Sequence, residues 1–366
     1  MMPEDVTEAD ERPGVVPAEE PDEARRPASG AVRTGVRRRW PRRRAGGPRP
    51  TRRRKWARRL LATVLVLIVT ATLFSFGYNA ATAGRAGEPA GLRFVSADGI
   101  RTRYRQWGSA GPPVVLVHGA AESADTWNRV AGLLAAHRRV YALDMTGWGY
   151  SERRGPYDAE HEAAQLLGFL DALHLDRATL VGHSTGAAVA AAAALRAPGR
   201  VDGLVFLDGD GLDTGAGAGA GDLQRVLLNP YRTTLLRIAV RSDWVIRQIY
   251  GSQCGPACPR LDGAGVDQWR RPLQVTSAEH ALWSMRGIVG LPAARLAALT
   301  RVAVPKKVVF GAEDDVFSRS SPYDTAKLIG APAPTIIPGA RHLSLISHPG
   351  QVAAAIIALP LIKGNR

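Results

Sequence analysis

The stretch of this chain best suited to covalent chemistry is Gly182-His183-Ser184-Thr185-Gly186. It follows the apolar run Ala178–Val181 and opens an alanine-rich segment, Ala187–Ala194, so a strand leads in and a helix leads out. A serine on so sharp a reversal needs a residue without a side chain on either flank, hence the two glycines. The turn lifts the Ser184 hydroxyl above the sheet as a nucleophile. It also leaves the Thr185 amide at a helix N-terminus, facing the oxygen that gains charge. In a chain with 39 glycines the pattern means little without partners, and the surrounding elements have to supply them.

Those elements alternate. Leu92–Ser96 and Arg101–Trp107 straddle an Asp98-Gly99 turn and read as a hairpin. Pro113–Val117 reads as a buried strand ending at His118-Gly119, followed by a helix through Trp127 to Ala136 and a strand Arg139–Leu143. A loop Asp144–Ser151, a helix Ala159–Leu173, the strand into the serine turn and a strand Val201–Leu207 come next. Short apolar strands alternating with helices predict a mostly parallel sheet in an α/β fold.

Val114–Ala120, Asp144–Ser151 and Gly182–Gly186, in this order, resemble the signature blocks of the α/β-hydrolase fold, and the resemblance runs from about Leu92 to the C-terminus. It implies a triad in the order serine, acid, histidine. The strand Lys306–Phe310 and the following Gly311-Ala312-Glu313-Asp314 resemble the family's Gly-x-x-Asp, which makes Asp314 the acid, with Asp315 as fallback and Asp208 or Asp210 as more distant alternatives. The strand Thr335–Ile337 and Pro338-Gly339-Ala340-Arg341-His342 resemble its Pro-Gly-x-x-His, which makes His342 the base and leaves His348 to begin the last helix. The family also implies a second oxyanion donor after His118-Gly119: Ala120, with Ala121 as rival. No cofactor or metal is expected.

The family inserts its cap between the sixth and seventh strands, here 209–303, dividing the hydrolase core into 92–208 and 304–366. The insertion holds a glycine–alanine repeat at 215–221, expected helices at Asp222–Leu228, Tyr231–Ile249 and Ala278–Leu291, and Trp244, Trp269 and Trp283, which suggest an apolar pocket or cap packing. Cys254 and Cys258 are the only cysteines and are expected to form a small disulfide if the domain is exported.

The formal charge of +15 is concentrated upstream: residues 1–24 sum to −8 and residues 25–59 to +16. With few large apolar residues, 1–59 reads as a disordered tail. Leu60–Phe76 is seventeen residues without a charge, extendable to Ala83, close to the minimum for a bilayer span. Arg52–Lys55 and Arg58-Arg59 precede it, so the expectation is a signal-anchor at 60–83 with a cytoplasmic tail and an extracytoplasmic catalytic domain. Cleavage at Ala81-Thr82-Ala83 is the alternative. Topology and anionic lipid account for the arginines, and a nucleic-acid partner is not expected. The functional expectation is hydrolysis of a small-molecule or lipid ester at the cytoplasmic membrane. The alternatives are the same triad on another bond, as in an iminopeptidase-like peptidase, a carbon–carbon bond hydrolase or an acyltransferase, and more remotely a non-catalytic surface protein.

Overall fold

The computed structural model describes residues 51–213, 228–285 and 289–360, and within them eight strands form one sheet. They are β1 (Arg93–Ala97), β2 (Ile100–Trp107), β3 (Pro113–Val117), β4 (Arg139–Leu143), β5 (Ala178–His183), β6 (Val201–Leu207), β7 (Lys306–Gly311) and β8 (Thr335–Ile337), in the spatial order β1-β2-β4-β3-β5-β6-β7-β8. β1 and β2 form an antiparallel hairpin and β2 is antiparallel to β4, while every pairing from β4 through β8 is parallel. Asp98 and Gly99 both take positive φ, the conformation a two-residue hairpin turn needs.

The helices are α1 (Arg52–Ala81), α2 (Asn128–Leu134), α3 (Ala159–Ala172), α4 (Gly186–Arg196), α5 (Tyr231–Arg241), α6 (Asp243–Cys254), α7 (Gly263–Arg270), α8 (Ala278–Ser284), α9 (Ala293–Ala297), α10 (Ser321–Ile329), α11 (Ser344–Ser347) and α12 (Pro349–Ile357). The central strands are mostly apolar because both faces of the sheet are covered. Val115, Val117, Leu180 and Phe206 face the side packed by Leu166, Phe169 and the α4 alanines. The alternate residues Val114, Leu116, Val181 and Val205 face Trp127, Val130, Val352 and Ile356. Ala187–Ala194 are all fully buried or nearly so, and their short side chains let α4 sit close against the strand that carries Ser184.

Two expected helices differ. Tyr231–Ile249 is two helices, because Ser242 takes an extended backbone and its hydroxyl accepts from the Val245 amide, capping α6. The helix predicted over Ala278–Leu291 stops at Ser284, where Met285 turns extended. The glycine–alanine repeat and the expected helix from Asp222 fall mostly outside the described residues. Cys254 and Cys258 are joined as a disulfide at the end of α6. Among the described residues one helix, Arg52–Ala81, is long and apolar enough to cross a membrane.

Candidate active site

Three loops at the carboxyl ends of β5, β7 and β8 converge, the edge at which open α/β sheets place their ligands. Ser184 follows β5 with φ of +51°. A Cβ on Gly182 would lie 2.2 Å from the Gly186 oxygen, and one on Gly186 would lie 2.5 Å from the Val117 oxygen, so only glycine fits either flank. The Ser184 amide donates to the Leu207 carbonyl at 3.0 Å, which fixes the strained turn to β6. Ser184 Oγ is 3.1 Å from His342 Nε2, and His342 Nδ1 is 2.9 Å from Asp314 Oδ2. The other Asp314 oxygen accepts the Val316 amide at 2.9 Å, so the turn after β7 holds the carboxylate in line.

The rival acids are placed elsewhere. Asp315 is exposed to solvent. Asp208 is fully buried: one oxygen accepts the Gly311 amide at 2.8 Å, and the other accepts the hydroxyl and the amide of Ser344. It is a strut between the loops that carry Asp314 and His342, and burial pushes its carboxyl up to about 6. Asp210 accepts from the Leu212 amide and the Ser321 hydroxyl. His348 lies at the start of α12, as expected.

Around the serine, His118 Nδ1 donates to the Gly119 carbonyl at 2.7 Å while its Nε2 accepts the Met145 amide at 3.0 Å. The peptide unit is planar and trans, so fixing the Gly119 carbonyl aims the Ala120 N–H the opposite way. Neither the Ala120 nor the Thr185 amide has a protein acceptor among the described residues. Gly119 packs against the nucleophile: a Cβ there would lie 2.9 Å from Ser184 Cβ and 2.6 Å from Glu122 Oε1.

Beneath the site lies a charged pair that the sequence reading missed. His183 is fully buried, its Nε2 donates to the His342 carbonyl at 2.9 Å, and its Nδ1 is 2.7 Å from Glu122 Oε1. The Nδ1 contact lacks the alignment of a regular hydrogen bond, and at this separation we read it as an ion pair. Burial opposes the charge, but Glu122 and Asp208 outweigh it and raise His183 to about 9. Glu122 is likewise lowered, its desolvation outweighed by His183. Because the histidine's folded pKa lies above its ordinary 6.5, its contribution to stability is complete below that pH and is lost as pH rises toward 9. The expected result is a melting temperature that declines from about pH 6.5 to pH 9 in the native chain, and a visibly flatter profile in Glu122→Gln. Equal slopes in the two proteins would remove the charged pair.

The serine and histidine open on a cavity of about 400 Å³ lined by Ala120, Ala121, Ile246, Ile249, Tyr250, Trp269, Leu273, Val316 and Leu343 among others. Among the described residues, no arginine or lysine lines it. Of the three tryptophans between β6 and β7, Trp269 lines it, Trp244 is exposed, and Trp283 lies under the Arg232 guanidinium. A more polar recess of about 480 Å³ lies at the β1–β2 edge, but its Arg103, Arg105 and Arg271 are already paired with Asp125, Asp144 and Asp267. The described residues contain no group of histidine, cysteine and acidic side chains able to hold a metal ion.

Residues 114–355 match the family model described as the alpha/beta hydrolase family. The chain belongs to that family. Among its relatives is 2-hydroxy-6-oxo-2,4-heptadienoate hydrolase of Pseudomonas putida, 45% identical over 125 residues, a match covering 33% of this chain and 45% of the relative. The chain thus spans less than half the length of this relative in alignment. Another alpha/beta hydrolase relative, the 2-hydroxy-6-oxo-6-(2'-aminophenyl)hexa-2,4-dienoic acid hydrolase of Metapseudomonas resinovorans, is 28% identical over 280 residues, 73% of this chain and 89% of that protein. Of solved structures, a serine hydrolase involved in carbazole degradation superposes with a TM-score of 0.60 at 25% identity, over 73% of this chain and 97% of that one. The protein is therefore a hydrolase.

Proposed function

We propose that this alpha/beta hydrolase is a membrane-anchored serine hydrolase that cleaves a carboxylic ester carrying an apolar acyl or aryl group. The observation that carries this reading is the line Ser184–His342–Asp314 opening on a cavity whose described walls are mostly apolar and hold no arginine or lysine. Ser184 attacks the ester carbonyl while His342 takes its proton, and Asp314 holds the imidazole tautomer and balances its charge. The Ala120 and Thr185 amides receive the oxyanion. The alcohol leaves with the proton from His342, and water activated by His342 then releases the acid and frees Ser184.

The names of the relatives favour a second reading, cleavage of a carbon–carbon bond in a 2-hydroxy-6-oxo-dienoate. Such a substrate carries a carboxylate, and among the described residues the cavity offers it no arginine or lysine and places Glu122 on its wall instead. A panel of neutral esters against a ring-opened dienoate, assayed on the same preparation, separates the two. Preference for the dienoate would overturn the ester assignment and leave the serine chemistry in place.

The anchor reading rests on α1, with 1–59 cytoplasmic because its basic residues precede the apolar segment, and with the insertion 209–303 acting as a cap. Retention rather than cleavage is supported by Asn79 and Thr82, whose backbone carbonyls accept from Arg237 and Arg241 on α5. External protease on intact cells should digest the catalytic domain; full protection there would reverse the topology.

Gly119→Ala tests the oxyanion geometry. The added methyl would displace Ser184 or the Ala120 peptide by a large fraction of an ångström, and the expected kcat/KM on a short-chain ester falls by roughly 100-fold. The melting temperature should also fall, because the methyl presses on Glu122 Oε1 and its pair with His183, so the rate is read on the folded fraction. A fall of less than about two-fold would mean that this peptide does not border the reacting oxygen.

A further inference from the structure

The end of α1 is built to hold the cap. Thr72, Ser75, Asn79 and Thr82 recur at helical spacing, so they form one polar face on an otherwise apolar and exposed helix. That face packs against α5. The Thr72 hydroxyl meets the Tyr231 hydroxyl, Asn79 Nδ2 donates to the Pro230 carbonyl at 3.0 Å, and the Thr234 hydroxyl donates to Asn79 Oδ1 at 3.1 Å. Arg237 donates to the Asn79 carbonyl and pairs with Glu279, whose other contact, Arg85, lies just beyond α1. Ser75 is 3% exposed, although no other residue of α1 is buried.

Depth follows from helix geometry. A span starting at Leu60, directly after Arg58-Arg59, crosses a hydrocarbon layer of about 30 Å in roughly 20 residues, ending near Asn79. Thr72 is twelve residues past Leu60, about 18 Å along the axis, and therefore still inside that layer. The Tyr231 hydroxyl reaches down to Thr72, while Pro230, Thr234, Arg237 and Arg241 bond Asn79 and Thr82, so α5 runs along the outer boundary of that layer.

The outward face of α5 suits that position. Thr234, Arg237 and Val240 are buried, whereas Leu235 and Ile238, one turn apart, are exposed by 53% and 42%. On α6, Trp244 and Ile249 are exposed by 69% and 59%, and Ile249 is itself a wall of the cavity over Ser184. Exposed large apolar residues beside a membrane-spanning helix mark a membrane or partner surface, and tryptophan favours the interfacial region. Arg237, which bonds Asn79, is paired with Glu279, and Arg232 and Arg241 on the same helix suit the anionic headgroup region.

We propose that α5 lies in the surface of the leaflet facing the catalytic domain, with Leu235 and Ile238 dipping into the headgroup–acyl boundary, and that Trp244 and Ile249 beyond it take an acyl-bearing substrate from the bilayer to Ser184. The proposal rests on the anchored-hydrolase reading for its direction of transfer. Its partner is the phospholipid bilayer.

The full chain is reconstituted in phosphatidylcholine–phosphatidylglycerol vesicles, with an environment-sensitive fluorophore on Ile238→Cys or, as a control, on Asp171→Cys at the far end of the sheet. The fluorophore at 238 is expected to emit as in an apolar medium and to be quenched by nitroxide-labelled lipid, while that at 171 does neither. Solvent-like emission at 238 overturns the proposal. So does apolar emission that lipid nitroxides leave unquenched and that grows with protein density, which would assign this surface to a second copy. In the second arm, Leu235→Gln/Ile238→Gln should keep its rate on a water-soluble short-chain ester within about two-fold and lose roughly ten-fold on a long-chain ester embedded in the vesicles. Equal effects on both esters overturn the delivery route. A native chain inactive on either ester would instead fail the hydrolase reading, and the fluorophore result would still stand or fall alone.

Discussion

Ser184→Ala is expected to lower ester turnover by on the order of 10⁴- to 10⁶-fold while leaving folding and substrate affinity nearly unchanged. The size follows from what the hydroxyl alone supplies. Without it no acyl-enzyme forms, and the remaining catalysis is that of the oxyanion donors and of binding. The cavity loses one oxygen atom and none of its apolar walls, so ligand binding should persist. His342→Ala is expected to cost a similar factor, and the double variant little more than either alone, because the two act as a unit. Asp314→Asn should lose on the order of 10⁴-fold, since an amide at 2.9 Å from Nδ1 can stabilise the wrong tautomer. Asp315→Ala, exposed and outside this line, should stay within a few-fold of the native rate. Steady-state kinetics combined with labelling by a fluorophosphonate probe reads all of these. Labelling retained in Ser184→Ala would refute Ser184 as the nucleophile, and an Asp315 loss equal to that of Asp314 would move the acid.

Residues close in the chain, or fixed by strand order, could be read without the structure. The turn at Ser184 announces itself because Gly182 and Gly186 answer a local steric demand and because apolar and alanine-rich runs frame it. Asp314 and His342 could be proposed because each lies in the loop after a strand, at a place the fold dictates. Glu122 and His183 could not. They are 61 positions apart, and a glutamate in a loop resembles any solvated carboxylate until folding buries it against an imidazole. Asp208 misled in the opposite direction, since a carboxylate after the sixth strand suggests an acid, yet its oxygens are taken by Gly311 and Ser344. The break between α5 and α6 had a local signal in Ser242-Asp243, an N-cap followed by an acidic first position, which the longer helical pattern concealed. The polar stripe Thr72, Ser75, Asn79 and Thr82 was equally visible, but its partner on α5 was not.

Asp144→Ala is expected to be the most damaging single change outside the chemistry, by about 3 kcal/mol or more. Asp144 is fully buried and joins three parts of the chain: Oδ1 accepts the Ala124 amide at 2.7 Å and Arg103 Nη1 at 3.2 Å, and Oδ2 accepts the Tyr150 amide at 2.7 Å. Removing the carboxylate strands two buried N–H groups and leaves Arg103, itself 3% exposed, with Asp125 as its remaining charge partner. Relaxation cannot easily fill the gap. Gly149 sits so close that a Cβ there would lie 2.1 Å from Asp144 Oδ2, and the loop is already drawn tight around the carboxylate. For a domain of this size, about 3 kcal/mol corresponds to a fall in melting temperature of roughly 6–12 °C. Asp144→Asn should recover only part of it, because the three donors surround both oxygens and an amide must present its NH₂ to at least one of them. Thermal unfolding of the full chain in detergent, followed by fluorescence, gives the shift. The Ala124 segment follows directly on Gly119, Ala120 and Ala121, so Asp144→Ala should also lower the fluorophosphonate labelling rate of the molecules that remain folded. A melting temperature within 2 °C of the native value would mean that Arg103 and the two amides find new partners, and that this carboxylate does not hold the oxyanion loop in place.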